Sequence, residues 1–263
     1  MINAMQRAII KKDLRGITSN KQMFSVMLIV PLVLTVILPS IFILVIHFVP
    51  EETAEFQKLL EMLPLAEQAG NFNQNIIKLV LNNIMPVFFL IIPIMASSVM
   101  AASSIVGEKA NRTLETLLYC PLSLRQIFQS KILASFLMSM IVSFTSFFAM
   151  ILVMEIEIVL TTGAIILPDI SWMIIMLLIS PAISLIAITL IVRASAKAQT
   201  VEEAQQRTVF LVLPVILLVV GQFSGLLLVS IWILLALGVV LALLAAILMN
   251  GSKEKFSYES ILK

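Results

Sequence analysis

The chain has one cysteine and one histidine in 263 residues. Cys120 has no partner for an internal disulfide and cannot build a thiolate zinc site, and His47 alone cannot form a multi-histidine metal centre. No glycine-rich phosphate loop of the Walker type is present, so the chain is not expected to hydrolyse ATP. Charge is scarce as well. Only 12% of residues are charged, where a soluble domain carries about a quarter. No Ser/His/Asp triad and no pair of buried carboxylates emerges, so no cofactor and no nucleic-acid partner is expected of this chain. What it has in excess is apolar surface, at 60% of residues and a mean hydropathy of +1.11. That composition belongs to a multi-pass membrane protein whose apolar surface is solvated by lipid. The net charge of +2 says little, because in such a protein the distribution of charge matters more than its sum.

A helix needs about 20 apolar residues to cross the hydrocarbon core. Such segments fit at 24–49, 79–106, 127–154 and 170–192. The first is too long for a signal peptide and lacks a small-residue cleavage site, so it reads as a retained span. The run Val209–Asn250 carries no charge, and as one helix it would be about 63 Å long, twice the core thickness. It therefore reads as two spans, 209–227 and 230–250, turning near Gly221–Ser230. The expectation is an all-α protein, one six-span transmembrane domain over 1–263. Lys58 and Lys78 are the only two of the 17 lysines and arginines that fall on one side of this arrangement. The positive-inside bias then places both termini in the cytoplasm of a prokaryotic cell membrane. The loops on the other side are acidic, with Glu51, Glu52, Glu55, Glu61, Glu67, Glu155, Glu157 and Asp169.

Three shorter helices are expected at the membrane surfaces. Residues 2–15 mix Ile2, Met5, Ile9 and Ile10 with Arg7, Lys11 and Lys12, a pattern suited to anionic lipid. Residues 51–63 place Phe56, Leu59, Leu60 and Leu63 on one helical face at the outer surface. The third lies in the polar island between the second and third spans, about 107–120. It carries Glu108, Lys109, Arg112 and Glu115 beside an apolar stripe of Leu114, Leu117 and Leu118. Pro121 breaks it, and Ser123 offers the cap of the next helix.

Other motifs weigh against simpler readings. Glu202–Arg207, EEAQQR, matches the EExxxR signature of CAAX-type intramembrane proteases, but that chemistry needs downstream histidines and the only histidine, His47, lies upstream. Gly221 and Gly225 form a GxxxG, readable as a dimer seam, a packing groove or a turn. Ser97 and Ser98, among small residues, suit close helix packing or a substrate path. Asn82 and Asn83 are polar candidates for a wet pathway at the outer end of the second span. Pro86, Pro93 and Pro181 predict kinks.

The topology and the stretch Ser97–Lys131 together resemble the permease subunits of ABC type-2 exporters, and are most similar to the sodium-efflux (Nat-type) branch. The similar features are Gly107–Lys109 ending a span, Thr113–Leu118 as a Thr-Leu-Glu-x-Leu-Leu coupling helix, Pro121–Ser123 as a turn and Lys131 in the next helix. The loop Ala196–Arg207 is a weaker match. The resemblance implies a separate ATPase, two copies carrying ATP and magnesium, that presses on the coupling helix. Leu114, Leu117 and Leu118 would dock in its groove, with Glu108, Arg112 and Glu115 as a polar rim. A second permease copy or sister chain would complete the pathway near Asn82, Asn83, Ser97 and Ser98. The cargo is left open among an ion, a peptide, a lipid and a drug. The alternatives are a CAAX-type protease and a membrane anchor or sensor scaffold.

Overall fold

A computed structural model of the chain describes residues 3–48, 72–111, 113, 119–195, 198, 200–206, 209–223 and 230–253. Every regular element among them is helical. Helix α1 (Ala4–Ser19) leads into the first span, α2 (Lys21–Leu32) and α3 (Leu38–Phe48). The second span is α4 (Phe72–Leu79), α5 (Met85–Phe89) and α6 (Ile91–Ala110), and the third is the single helix α7 (Leu124–Thr162). The fourth comprises α8 (Ile170–Ile174) and α9 (Ser180–Ala194). The short α10 (Val201–Gln206) precedes α11 (Val209–Phe223) and α12 (Ile231–Lys253). Among the described residues five helices are long and apolar enough to cross a bilayer. Helix α11 is the exception at 15 residues, about 22 Å against a core of about 30 Å. The expected surface helix at 51–63 lies outside the described residues.

Among the described residues three spans contain a five-residue π-helical turn, at Val33–Ile37, Val80–Ile84 and Ile175–Ile179. Each ends two residues before a proline: Pro39, Pro86 and Pro181. A proline ring collides with the carbonyl four residues earlier and supplies no N–H. Those carbonyls belong to Thr35, Asn82 and Leu177, the middle residue of each wide turn. Widening the turn moves the carbonyl away from the ring, so the chain stays helical instead of breaking. The kinks expected at Pro86 and Pro181 take this form, and at Pro93 the helix is interrupted at Leu90. In the second span Met85 donates its N–H to Val80, five residues back. The next donor in that register would be Pro86, which has none. The Leu81 carbonyl accepts the Trp172 indole N–H at 3.1 Å instead. Trp172 is fully buried, with Phe89 edge-on at 5.5 Å between ring centroids.

The second span is the hub. It is buried over 78% of its most apolar stretch, against 17% for α12. Helices α7 and α9 pack against it. Along α7, Lys131, Ser135, Ser139, Ser143 and Ser146 recur at three- or four-residue spacing and are all buried. Ser139 and Ser184 lie 3.0 Å apart between Oγ atoms, and Ser139 donates to the Pro93 carbonyl at 3.1 Å. Through Ser139 the stripe hydrogen-bonds spans two, three and four, while the small side chains of Ser135, Ser143 and Ser146 let the helices pack closely. Gly238 lets α12 approach the fourth span closely, since a Cβ there would stand 2.5 Å from Leu178 Cδ2. The long α7 stops at Gly163, whose φ of 68° is the left-handed cap conformation.

Candidate functional site at the basic end of the bundle

Ser123 starts α7 with a capping box. Its Oγ accepts the Gln126 N–H at 3.3 Å, and its own N–H donates to Gln126 Oε1 at 3.0 Å. That cap sets the phase of the helix and sends Lys131, two turns on, into the protein rather than toward lipid. The Lys131 side chain is 1% exposed. Its ammonium has three protons and uses them within the chain. It donates to the Ser104 carbonyl at 2.5 Å, pairs with Glu108 Oε2 at 2.9 Å, and lies 3.5 Å from Asp13 Oδ2. Ser104 Oγ donates to the same Asp13 oxygen at 2.6 Å. Glu108 Oε1 is held from the other side by Lys12 at 2.6 Å. Two cations and two carboxylates thus balance in a site reached from α1, the second span and the third.

The rest of α1 follows from this docking. Gln6, Ile9, Asp13 and Ile17 form its buried face, while Met5 is exposed. Ile9 packs on Ile127, with Leu122 against them. Of the expected apolar stripe, Ile9 is buried and Ile10 packs against the core, Met5 is exposed, and Ile2 lies outside the described residues. A polar pair at positions 6 and 13 docks on protein because Lys131 and the Gln126 carbonyl receive it. The helix also runs to Ser19, past the expected end at residue 15. Burial raises the pKa of Asp13 above the ordinary carboxylate value. The charge of Lys131 and the Ser104 hydrogen bond oppose the shift without cancelling it. For Lys12, burial works against the charged form, but Glu108 and Asp13 outweigh it and hold the pKa above the usual lysine value. A cleft of about 400 Å³ opens beside the cluster, lined by Lys12, Asp13, Asn20, Ser103, Glu108 and Asn111.

Of the residues singled out in sequence, Glu108 is in this site. It sits in the last turn of the second span and is mostly buried, so it is not on an exposed rim of a separate helix starting at 107. Lys12 and Lys131 hold it there. Arg112, Leu114, Glu115, Leu117 and Leu118 lie outside the described residues, as does Gly225; Gly221 is in α11. Asn82 accepts the Asp169 N–H at 3.0 Å, and the Asn83 carbonyl accepts Gln222 Nε2 at 2.9 Å, so both tie span ends together. Ser97 and Ser98 are buried and donate to the Ile94 carbonyl of their own helix, at 3.1 and 2.6 Å. Glu202 and Glu203 open α10, where the Glu203 N–H donates to Thr200 Oγ1 at 3.2 Å, the first-turn bond of a capped helix. Asp13 and Lys131 as partners, and the serines of α7, were missed in sequence. The spacing from Lys131 to Ser146 was the available signal.

A family profile described as "ABC-2 family transporter protein" matches residues 7–223. The chain belongs to this family. As an ABC-2 permease it is a multi-pass membrane transport component and not itself the catalytic subunit. The membership does not favour the intramembrane protease alternative. ABC-2 permeases normally pair with a separate ABC ATPase subunit. The match begins in α1 and runs through the charged junction to the end of α11, so it includes every member of the cluster. No match was found among curated proteins or among solved structures.

Proposed function

We propose that this ABC-2 permease is the membrane subunit of an exporter of the Nat-type branch, driven by a separate ATPase that bears on residues 107–125. The observation that carries the reading is the placement of Glu108 and Lys131. They flank the polar island in sequence and meet in space with α1. A push on the segment between them would reach α1 and the second and third spans together. A rigid, charge-paired junction transmits such a push, and a loose loop would dissipate it. In this reading Leu114, Leu117 and Leu118 enter the ATPase groove and Arg112 and Glu115 form its rim. The island and both termini face the cytoplasm. Two permease copies, or this chain and a sister, enclose the pathway between them. Ser97 and Ser98 would join that pathway only after the second span rotates. The cargo belongs to one of four classes, ion, peptide, lipid or drug, of which sodium is the one the branch implies.

The test is co-purification of the ATPase with Leu117→Asp and Leu118→Asp variants. Both should insert and lose the ATPase. Retention by both would remove the coupling role. Stimulation of the complex's ATPase by sodium or by another cargo class would then identify what is moved.

A further inference from the structure

A second feature of the basic end has no part in the charged junction. Helices α7, α9 and α12 leave a groove of about 250 Å³ between them, lined by Arg125, Phe128, Leu133, Phe136, Leu185 and Met249. Below Arg125 the wall is apolar except for Gln129, one turn on and exposed, and Thr189. Thr189, which also borders it, has its hydroxyl bonded to the Leu185 carbonyl at 2.7 Å, so it makes no polar demand on an occupant. Arg125 is exposed, and among the described residues no acidic side chain pairs with it. It stands in the first turn of α7, where the polar island meets the span. From Arg125 to Phe136 the helix descends about 16 Å, close to the depth of one leaflet of a core about 30 Å thick.

We propose that this groove is a site for one anionic phospholipid, with its phosphate on Arg125 and an acyl chain lying along Phe128, Leu133 and Phe136. The two halves of the ligand match the two parts of the site. A guanidinium at headgroup height selects negative charge, and a dry channel one leaflet deep accepts a hydrocarbon chain. A zwitterionic lipid would fill the channel without satisfying the arginine. The inference needs only that the helices lie in a bilayer; Arg125 closes the stretch assigned to the ATPase, and the test below uses the chain without that subunit.

The test uses the full chain in nanodiscs with Phe136→Trp, an aromatic-for-aromatic change at the deep end of the groove. Phosphatidylglycerol or phosphatidylcholine brominated along the acyl chains is the quencher, with the signal of Trp172 and Trp232 subtracted from the parent chain. Phosphatidylglycerol should quench at about five-fold lower mole fraction, the preference that one basic residue confers. Arg125→Gln should bring the two curves together, and Arg125→Lys should keep most of the preference. Coincident curves with Arg125 intact would overturn the proposal. So would absence of quenching by either lipid, with quenching appearing on deletion of residues 254–263, since the occupant would then be the chain's own C-terminal segment.

Discussion

Lys131→Met removes the ammonium and keeps the approximate volume of the side chain. Two carboxylates lose a partner, unequally. Glu108 keeps Lys12, whose side chain is 57% exposed and free to follow it. Asp13, at 5% exposed, keeps the Ser104 hydroxyl and only the weaker, more distant pull of Lys12. The cost is therefore that of stranding one buried carboxylate, about 3–5 kcal/mol. For a chain of this size that corresponds to a fall in melting temperature of about 10 °C. A second readout locates the damage. Ile9→Cys in a Cys120→Ser background reports whether α1 is docked, because Ile9 is buried against Ile127. It should resist a thiol reagent with Lys131 present and react in Lys131→Met. The pH dependence has a definite sign. The pKa of Asp13 in the folded protein is already raised, so its protonated form is favoured by folding. The associated stability is present at low pH and is lost as pH rises through that raised value. Lys131 holds the value down, so its removal raises it further, and the deficit of Lys131→Met should shrink as pH falls. Adding Asp13→Asn should recover more than half of the loss. An unchanged melting temperature, or no recovery in the double variant, would show that the junction does not depend on this pairing.

Gly238→Leu should push α12 off the fourth span and cost about 1–3 kcal/mol, with Leu178→Ala relieving much of it, as read by thermal melts in detergent. Ser139→Ala and Ser184→Ala should show a coupling of about 0.6 kcal/mol in a double-mutant cycle, and strict additivity would mean that their contact is incidental. Cys120 is exposed and, on the proposed orientation, should react with an impermeant thiol reagent only after cells are opened; labelling of intact cells would invert the topology.

The helical spans were legible because lipid demands long apolar runs: among the described residues five helices are long and apolar enough to cross, and the expected fifth segment holds the shorter α11. Their ends were less so. Helix α7 continues to Thr162 because nothing between residues 155 and 162 breaks a helix, and Glu155 and Glu157 end a hydropathy run without ending a helix. Ser123 was legible as a cap because its chemistry is local. The charged junction was not. Asp13, Glu108 and Lys131 are far apart in sequence, and each alone reads as a solvated charge beside a membrane. Only the docking of α1 reveals that they neutralise one another. Asn82 shows another use of an intramembrane amide: its Oδ1 accepts the Asp169 N–H at a joint between span ends, a contact no local pattern announces.

A π-helical turn holds one residue more than the α-turn it replaces. Each of the three wide turns is thus equivalent to a single inserted residue, which advances everything beyond it by about 100° around the helix axis. The N-terminal and C-terminal halves of these spans are consequently out of phase, and each half chooses its own neighbours. In the second span this lets the N-terminal part present the Leu81 carbonyl to Trp172 while the C-terminal part presents Ser104 and Glu108 to Lys131. Deleting one residue from Val80–Ile84 would bring the Pro86 ring back against the carbonyl four residues before it and leave one of these two sets of contacts facing the wrong way.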